Sequence, residues 1–390
     1  MELKKHWLLD PDIAFLNHGS YGATPIAVLA RQDELRTQME REPVRFFNRE
    51  LEPLLDDARR RLAAFLGADE AGLAFCANAT AGVNAVLRSL DLDKLDELVV
   101  TSHEYNASRN TIDFAAGLAG AKVVVVTIPF PIASPDEVME RILAAVTDRT
   151  RLVLIDHVTS QTALVFPAAR IVSEVQARGV DVLIDGAHAP GMIPLDLRAI
   201  GAAYYAGNLH KWVCAPKGAG FLHVRENRRL GIHPAVISHG MNATRRDRSR
   251  YHLEFDWTGT MDPTPWLCVP VALRFMESLV EGGWPEIMRR NHDLALRARD
   301  LLCQRLAIAN PAPDDMLGSM AAIPLPEGDA QSLQDELFFE HHIEVPLMPW
   351  PTRLLRVSAQ LYNTIEEYER LADALRRAGE TPALLHEIPR

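Results

Sequence analysis

The stretch Ala206-Gly-Asn-Leu-His-Lys-Trp212 decides the fold that this sequence predicts, because it ends a strand and carries a lysine there. An apolar run at residues 202–205 precedes it, and a turn-rich loop at 215–220 leads to a second strand at 221–224. Lys211 therefore lies among apolar and glycine residues, an unusual place for a solvated cation. Partial burial lowers the pKa of a lysine, and a neutral amine can form an imine with an aldehyde. Alternatively, Lys211 is an ordinary charged surface residue, and other parts of the sequence are needed to distinguish the two interpretations.

Apolar strands alternate with amphipathic helices in the residues before Lys211. Strands that consist almost entirely of Val, Leu and Ile, with helices between them, are typical of a mostly parallel sheet covered on both faces. The sequence therefore predicts an α/β fold. The predicted strands are 73–77, 98–101, 123–128, 152–155 and 182–184, and the predicted helices are 25–41, 50–66, 78–90, 106–119, 135–146 and 168–178.

The pattern changes after residue 225, where basic residues, His and Gly predict a long loop that extends to residue 250. Helices and short strands follow in an α+β order. We predict a large domain at residues 20–264 and a smaller α+β domain formed by residues 1–19 and 265–390. The elements predicted for the C-terminal part are helices at 265–281, 285–308, 330–340 and from 364, and strands at 319–324, 343–347 and 353–357.

The composition limits the possible partners and compartments. The 390-residue chain has 41 basic and 52 acidic side chains, and its formal charge of −11 argues against a nucleic-acid or anionic-membrane partner. The four cysteines have no metal-ligand spacing, so no metal site is predicted. The N-terminus shows no signal peptide, and no apolar run has the length of a membrane span. We expect a cytoplasmic protein.

Polar residues follow several predicted strands at the point where each strand ends. In parallel sheets, ligands collect beyond the carboxyl ends of the strands, so these loops are expected to meet. The loops are 102–106, 156–157, 185–188 and 208–211. Among their residues, Asp185 ends a hydrophobic strand, where a carboxylate is costly unless it meets a cation. Asp185 either caps the following turn or pairs with a cationic ring nitrogen.

A strand also leads directly into a helix at Asn78-Ala-Thr-Ala-Gly-Val-Asn84. The unpaired N–H groups of a helix start favour an anion, and the Thr80 hydroxyl can add a donor. Nearer the N-terminus, Asn17 and His18 either line a site or belong to a plain loop. Arg45, beside two phenylalanines, is a substrate or interface arginine or an ordinary linker anchor.

An imine-forming lysine, an aspartate for a ring nitrogen, an anion cradle and an aromatic residue past a strand end together describe a pyridoxal 5′-phosphate site. Their order along the chain resembles that of the class V aminotransferase family of fold-type I enzymes. Within that family the sequence most resembles the isopenicillin N epimerase-like branch, which also includes carbon–sulfur lyases resembling hercynylcysteine sulfoxide lyase. The resemblance rests on Thr80, Asp185-Gly-Ala-His188, Asn208-Leu-His-Lys211, Gly259-Thr260 and Arg356-Val-Ser-Ala-Gln-Leu-Tyr-Asn363, and for the branch on residues 16–22, 43–47 and 103–107.

The resemblance implies a role for each matching residue around the cofactor ring and the substrate. Lys211 would form the imine with the cofactor, and Asp185 would pair with the ring nitrogen. His188 would contact the phenolic oxygen, and Tyr105 would stack on the ring. Arg356 would bind the substrate α-carboxylate through two parallel hydrogen bonds.

The resemblance also implies how the phosphate is held. Backbone N–H groups of Ala79 and Thr80, with the Thr80 hydroxyl, would donate to it, and Asn208 and His210 would add side-chain donors. Thr260 would reach the phosphate of a neighbouring subunit, which implies a homodimer with shared active sites.

The resemblance leaves several reactions open. Epimerisation at Cα needs Lys211 and a second proton carrier, for which Tyr105, His18 or a water is a candidate. β-Elimination from a cysteine derivative needs one base, and transamination is a third possibility. Desulfurase activity is not expected, because the segment 344–353 contains no cysteine. A non-enzymatic binding module is disfavoured, since the lysine, the aspartate and the arginine are all present.

Overall fold

The computed structural model describes residues 3–380, and a seven-stranded sheet forms its centre. The strands are β1 (Ala14–Phe15), β2 (Leu73–Cys76), β3 (Glu97–Thr101), β4 (Lys122–Val126), β5 (Thr150–Asp156), β6 (Asp181–Gly186), β7 (Tyr204–Asn208), β8 (Gly220–Val224), β9 (Met320–Pro324), β10 (Ile343–Glu344), β11 (Leu347–Met348) and β12 (Leu354–Ser358). The central sheet has the order β2-β8-β7-β6-β5-β3-β4. Only β8 runs antiparallel to its neighbours, so the predicted mostly parallel sheet is confirmed.

Helices cover both faces of this sheet. They are α1 (His18–Tyr21), α2 (Ile26–Arg41), α3 (Pro43–Arg45), α4 (Leu51–Leu66), α5 (Ala79–Leu87), α6 (Asn106–Ala119), α7 (Pro135–Ala145), α8 (Ala168–Ala177), α9 (Leu197–Ile200), α10 (Arg250–Phe255), α11 (Thr264–Leu267), α12 (Val269–Ser278), α13 (Gly283–Leu306), α14 (Ala330–Phe339) and α15 (Ile365–Arg377). Successive residues of a strand point to opposite faces. Val153 and Ile155 of β5 accordingly join the core formed with α4, α7 and α8, whereas Leu152 and Leu154 join the core formed with α5 and α6.

The C-terminal part forms a second, antiparallel sheet in the order β11-β12-β9, with α13 and α15 packed against one another beside it. Strand β1 pairs in parallel with β10, so the first residues of the chain join this part of the structure. Helices α11 and α12 pack on α2 and α4 beside the large sheet. The predicted boundary at residue 265 stays a prediction. No helix among residues 3–380 combines the length and hydropathy of a membrane span.

Three local predictions are wrong, two of them at a proline. The helix predicted at 265–281 is two helices, with the break at Cys268 and Pro270 in the first turn of α12. Proline lacks an N–H and is tolerated where that N–H has no helical partner. The strand predicted at 343–347 is likewise divided, because Pro346 separates β10 from β11. The loop predicted after residue 17 contains the one-turn helix α1.

Candidate active site

The carboxyl ends of β5, β6 and β7 meet at one edge of the central sheet, where Asp156 is in register with Asp185. A cavity of about 210 Å³ opens there. Most of the residues predicted for the site line it: Ala79, Thr80, Tyr105, Asp185, His188, Asn208, His210 and Lys211. Because the loops past parallel strands meet at one edge of the sheet, these residues come together from four separate segments of the chain.

Lys211 lies in the cavity with its Nζ 3.1 Å from Nε2 of His188. Burial, and then the charge of Arg356, lower the pKa of the amine to about 7. The loop that carries Lys211 is packed tightly on the backbone of Gly22, where a Cβ atom would lie 2.0 Å from the His210 carbonyl oxygen and 2.8 Å from the Lys211 Cα. Gly22 also has a φ of +69°. Only glycine fits this approach, so the segment from residue 17 to 22 positions the lysine.

The lowered pKa of Lys211 predicts the pH dependence of imine formation. In the cofactor-free protein, the rate of reaction with added pyridoxal 5′-phosphate should rise with pH through about 7, because only the neutral amine attacks the aldehyde. Stopped-flow absorbance over a pH series measures this rate. The variant Arg356→Gln lacks the repelling cation and should move the midpoint to higher pH. A wild-type midpoint near the ordinary lysine value of 10.5 would contradict this account.

Asp185 is 2% exposed at the end of β6. Its carboxylate accepts hydrogen bonds from the Ser108 hydroxyl at 2.7 Å and from the Ala187 N–H at 3.1 Å. Burial raises the pKa of the carboxyl group, and these two donors oppose that effect. Within residues 3–380, Asp185 forms no ion pair. A buried carboxylate that is held in place and lacks a cation fits a cationic ring nitrogen.

The helix start at α5 presents its donors to the same cavity. The side-chain oxygen of Asn78 accepts from the Ala81 N–H at 2.9 Å, and that of Asn208 accepts from the Ala79 N–H at 2.8 Å. The Ala79 N–H, which the resemblance assigned to a phosphate, is therefore already bonded. The N–H and hydroxyl of Thr80 make no hydrogen bond as donors to residues 3–380, so these groups fit an anion.

The two histidines of the cavity are neutral. Nδ1 of His210 lies 3.1 Å from the Ala219 carbonyl oxygen, which can only accept, so this nitrogen carries the hydrogen. Burial lowers the pKa of His210 to about 4, and the proposed donation from Nε2 to a phosphate would need a second proton on the ring. Burial, and then Lys211, also lower the pKa of His188 well below its usual value.

Arg356 lies on β12 beside the cavity and is 1% exposed. It donates to the Ser160 carbonyl oxygen at 2.5 Å and to the Ser20 hydroxyl at 2.9 Å, and it has no acidic partner among residues 3–380. Burial lowers the pKa of its guanidinium to about 10. A buried cation without an anion is costly, and a substrate carboxylate would supply that anion.

Asn17 and His18 support the site and do not line the cavity. Asn17 accepts from the Ser20 hydroxyl at 2.5 Å and donates to Glu344 at 2.8 Å, so it orients the serine that contacts Arg356. His18 is fully buried, with Nδ1 2.7 Å from the Tyr362 hydroxyl and Nε2 3.0 Å from the Lys211 carbonyl oxygen. Burial lowers its pKa to about 3. Both ring nitrogens are occupied, which argues against His18 as a proton carrier.

Arg45 and Thr260 lie outside the cavity of the single chain. Arg45 is exposed and forms a 2.6 Å ion pair with Glu50, and Thr260 is exposed after Gly259. The predicted contact of Thr260 with a second copy stays a prediction, which sedimentation of the purified protein would test, and the substrate-binding role of Arg45 also stays a prediction. The sequence also places Glu104 and Asp156 past strand ends without assigning them a role. Asp156 lines the cavity. The sequence feature that could have identified both residues is that each is an acidic residue just past a predicted strand.

Comparison with known proteins identifies the family. The model of the family described as aminotransferase class-V matches residues 14–371. Isopenicillin N epimerase of Amycolatopsis lactamdurans is 40% identical, covering 95% of this chain and 96% of that protein. A probable L-cysteine desulfhydrase, chloroplastic, of Arabidopsis thaliana is 32% identical, covering 94% of this chain and 83% of that protein.

A solved structure, a mutant of C-DES with glycine covalently linked to its PLP cofactor, matches with a TM-score of 0.81 and 20% identity over 95% of this chain and 98% of that one. This likeness confirms the predicted fold-type I architecture. The family model confirms the predicted resemblance, and with it the prediction of pyridoxal 5′-phosphate as the cofactor. The chain belongs to the aminotransferase class-V family.

Proposed function

We propose that this enzyme is an amino-acid epimerase that acts at Cα in the manner of isopenicillin N epimerase. The observation that carries the proposal is the position of a lysine of lowered pKa beside a buried arginine that lacks an anion. Arg356 donates to Ser160 and Ser20, which line the cavity together with Lys211, so a carboxylate bound by the guanidinium would lie near the amine. The epimerase of Amycolatopsis lactamdurans, at 40% identity over nearly the full length, supports the same assignment.

The side chains described above have separate roles in such a reaction. When bound, pyridoxal 5′-phosphate supplies an electron sink for the pair of electrons left at Cα. Arg356 binds and orients the carboxylate, and Asp185 stabilises positive charge at the ring nitrogen. Lys211 takes the Cα proton on one face. Epimerisation then needs a proton delivered to the opposite face, with no net change in atoms.

Tyr105 is our candidate for the second proton carrier. It lines the cavity at the start of α6 together with Ser20 and Ser160, the two residues that Arg356 contacts, and it is 42% exposed. A substrate carboxylate on Arg356 would therefore have the phenol and the amine of Lys211 nearby. Tyr105 is also the residue that the resemblance places on the ring, so one side chain would serve both purposes.

An assay in deuterated water distinguishes epimerisation from the other candidate reactions. The wild-type protein should exchange Cα hydrogen of an amino-acid substrate with inversion, as measured by mass spectrometry and chiral chromatography. In Tyr105→Phe the rate of inversion should fall by about 10²–10⁴-fold, the usual contribution of a general acid. The variant should still exchange the Cα hydrogen with retention of configuration, because Lys211 can remove and return the proton on one face. The retained exchange is the internal control for a folded, loaded enzyme. Equal loss of both processes would contradict the second-carrier role.

β-Elimination from a cysteine derivative is the second candidate, favoured by the desulfhydrase relative at 32% identity. One base suffices for it, since the leaving group departs after Lys211 takes the proton. Release of pyruvate and ammonia from cysteine or its derivatives, without inversion of any tested amino acid, would replace the epimerase assignment. Formation of a keto acid at the expense of the cofactor's aldehyde would indicate transamination.

A further inference from the structure

Three buried carboxyl groups meet at the cavity, where Asp156 and Asp185 line its wall. Glu104, Asp156 and Asp185 are 5%, 3% and 2% exposed, and one oxygen of each lies within 4.8 Å of the others. Asp156 and Asp185 end neighbouring parallel strands in register. Glu104 precedes Tyr105, the residue that begins α6. The cluster therefore joins the turn that carries Tyr105 to the ends of β5 and β6.

Hydrogen-bond donors are distributed unequally over this cluster. Asp185 accepts from Ser108 and Ala187, as described above. In contrast, both carboxyl oxygens of Glu104 and Oδ2 of Asp156 are buried and find no donor within residues 3–380. A buried carboxylate without a donor is strongly unfavourable, and two such groups side by side add their repulsion.

The neighbouring charged and titratable groups do not supply the missing hydrogen-bond donors. The charge of Lys211 acts on Asp156 and Asp185, and its Nζ bonds to His188 and forms no hydrogen bond or ion pair with Glu104 within residues 3–380. The ring of His103 is bonded to Thr162 and to the Ile128 carbonyl oxygen. Nδ1 of His157 lies 2.9 Å from the Tyr205 hydroxyl. A proton on the carboxyl pair itself is the remaining source of a donor.

We propose that Glu104 and Asp156 share one proton, which ties the turn carrying Tyr105 to the end of β5 and leaves Asp185 as an ionised carboxylate. The pair is a positioning device that acts through Tyr105 and Asp185. Burial, followed by the neighbouring carboxylates, raises the pKa of both Glu104 and Asp156 well above the usual range, in agreement with a retained proton. The proposal holds whichever bond of the substrate breaks.

The pH dependence of stability in the cofactor-free protein tests the shared proton. A carboxyl group whose pKa is higher in the folded than in the unfolded chain loses stabilisation as pH rises between the two values. The buried histidines titrate in the same range but are common to the wild type and its variants, so the readout is the difference in melting temperature between the wild type and Glu104→Gln. Glu104→Gln keeps a donor at every pH, so the wild-type melting temperature should fall relative to that of the variant as pH rises from the unfolded pKa of Glu, about 4.3, toward the raised folded value, and the variant should be the more stable protein at the alkaline end.

Glu97→Gln is the matched control with the opposite sign. Glu97 is also buried, at 3% exposure, but Thr147, Arg149 and Lys122 surround its carboxylate. The Thr147 hydroxyl, and then the charge of Arg149, lower its pKa. Its neutral replacement should therefore destabilise the protein at neutral pH, where Glu104→Gln should not. A parallel loss of stability in both variants would overturn the proposal.

Two further measurements cover the case in which Glu104→Gln does not fold. The infrared C=O band of a protonated carboxylic acid should persist in the wild-type protein at neutral pH, and its absence would overturn the shared proton. Asp156→Asn should flatten the same melting profile. Stabilisation of the wild type, and not of Asp156→Asn, by added Mg²⁺ would mean that a cation takes the place of the proton, and would also overturn it.

The affinity for the cofactor shows whether the Glu104–Asp156 pair positions the site or only stabilises the fold. Glu104→Leu removes the hydrogen bond and should weaken the binding of pyridoxal 5′-phosphate by about tenfold, the effect of one lost buried hydrogen bond. Glu104→Gln should restore affinity to within about threefold of the wild type. If Glu104→Leu binds the cofactor as tightly as the wild type, the pair does not position Tyr105 or Asp185.

Discussion

Lys211→Ala is expected to abolish the visible absorbance of a protonated imine in the protein saturated with pyridoxal 5′-phosphate. No other described amine lines the cavity, so nothing replaces the covalent attachment. Exchange of the Cα hydrogen should fall by at least about 10²–10⁴-fold, because the same amine is the proposed base. Absorbance spectra and deuterium incorporation measure the two effects separately.

Lys217→Ala is the matched control for this experiment. Lys217 is a nearby lysine whose Nζ donates to the Gly22 carbonyl oxygen at 2.9 Å, and burial lowers its pKa as well. It does not line the cavity, so its variant should keep the absorbance band. A colourless wild-type protein, or a band that survives Lys211→Ala and disappears in Lys217→Ala, would contradict the assignment of the lysine.

Arg356→Leu is expected to lower activity without lowering the stability of the protein. Loss of a buried, hydrogen-bonded charge partner costs about 2–5 kcal/mol, so kcat/KM for amino-acid substrates should fall at least about 30-fold. The melting temperature of the cofactor-free protein should not fall, because the variant removes a buried cation that has no anion in residues 3–380. Steady-state kinetics and thermal unfolding measure the two results.

Arg353 supplies the control for Arg356. It lies just before β12, the strand that carries Arg356, and pairs with Glu380 at 2.8 Å. Arg353→Leu should lose stability, because it leaves Glu380 without its partner, and it should keep the KM for substrate. Arg356→Lys should be intermediate in activity, since an ammonium group cannot form two parallel hydrogen bonds to a carboxylate. Unchanged kinetics in Arg356→Leu would exclude the carboxylate-binding role.

The sequence predicted the parts of the site that follow from local rules. Lys211 and Asp185 each end or follow an apolar strand, and parallel strands bring such residues to one edge of a sheet. Thr80 could be assigned because a helix start after a strand exposes N–H groups whatever the rest of the chain does. These predictions need only the order of the elements.

Other roles depend on contacts that the order of elements does not reveal. The contact between His18 and Tyr362 joins residues 344 positions apart, and it converts a candidate proton carrier into a support for the lysine loop. The shared environment of Glu104 and Asp156 depends on the register between β5 and β6 and on where α6 begins. Pro270 was visible in the sequence, yet the sequence pattern did not show that this proline lies in the first turn of a separate helix, α12, after a break at Cys268.

The N-terminal segment has a consequence for anyone who shortens or fuses this protein. Residues 14–15 pair with β10, His18 holds the Lys211 carbonyl oxygen, and Gly22 lies against the lysine loop. A variant trimmed to the first residue of α2 would keep Lys211 and Asp185 but lose Ser20, which lines the cavity and contacts Arg356, together with the segment that supports the lysine loop. Expression tags placed ahead of this segment leave it intact. Deletions that reach residue 14 remove contacts that hold the lysine loop in position.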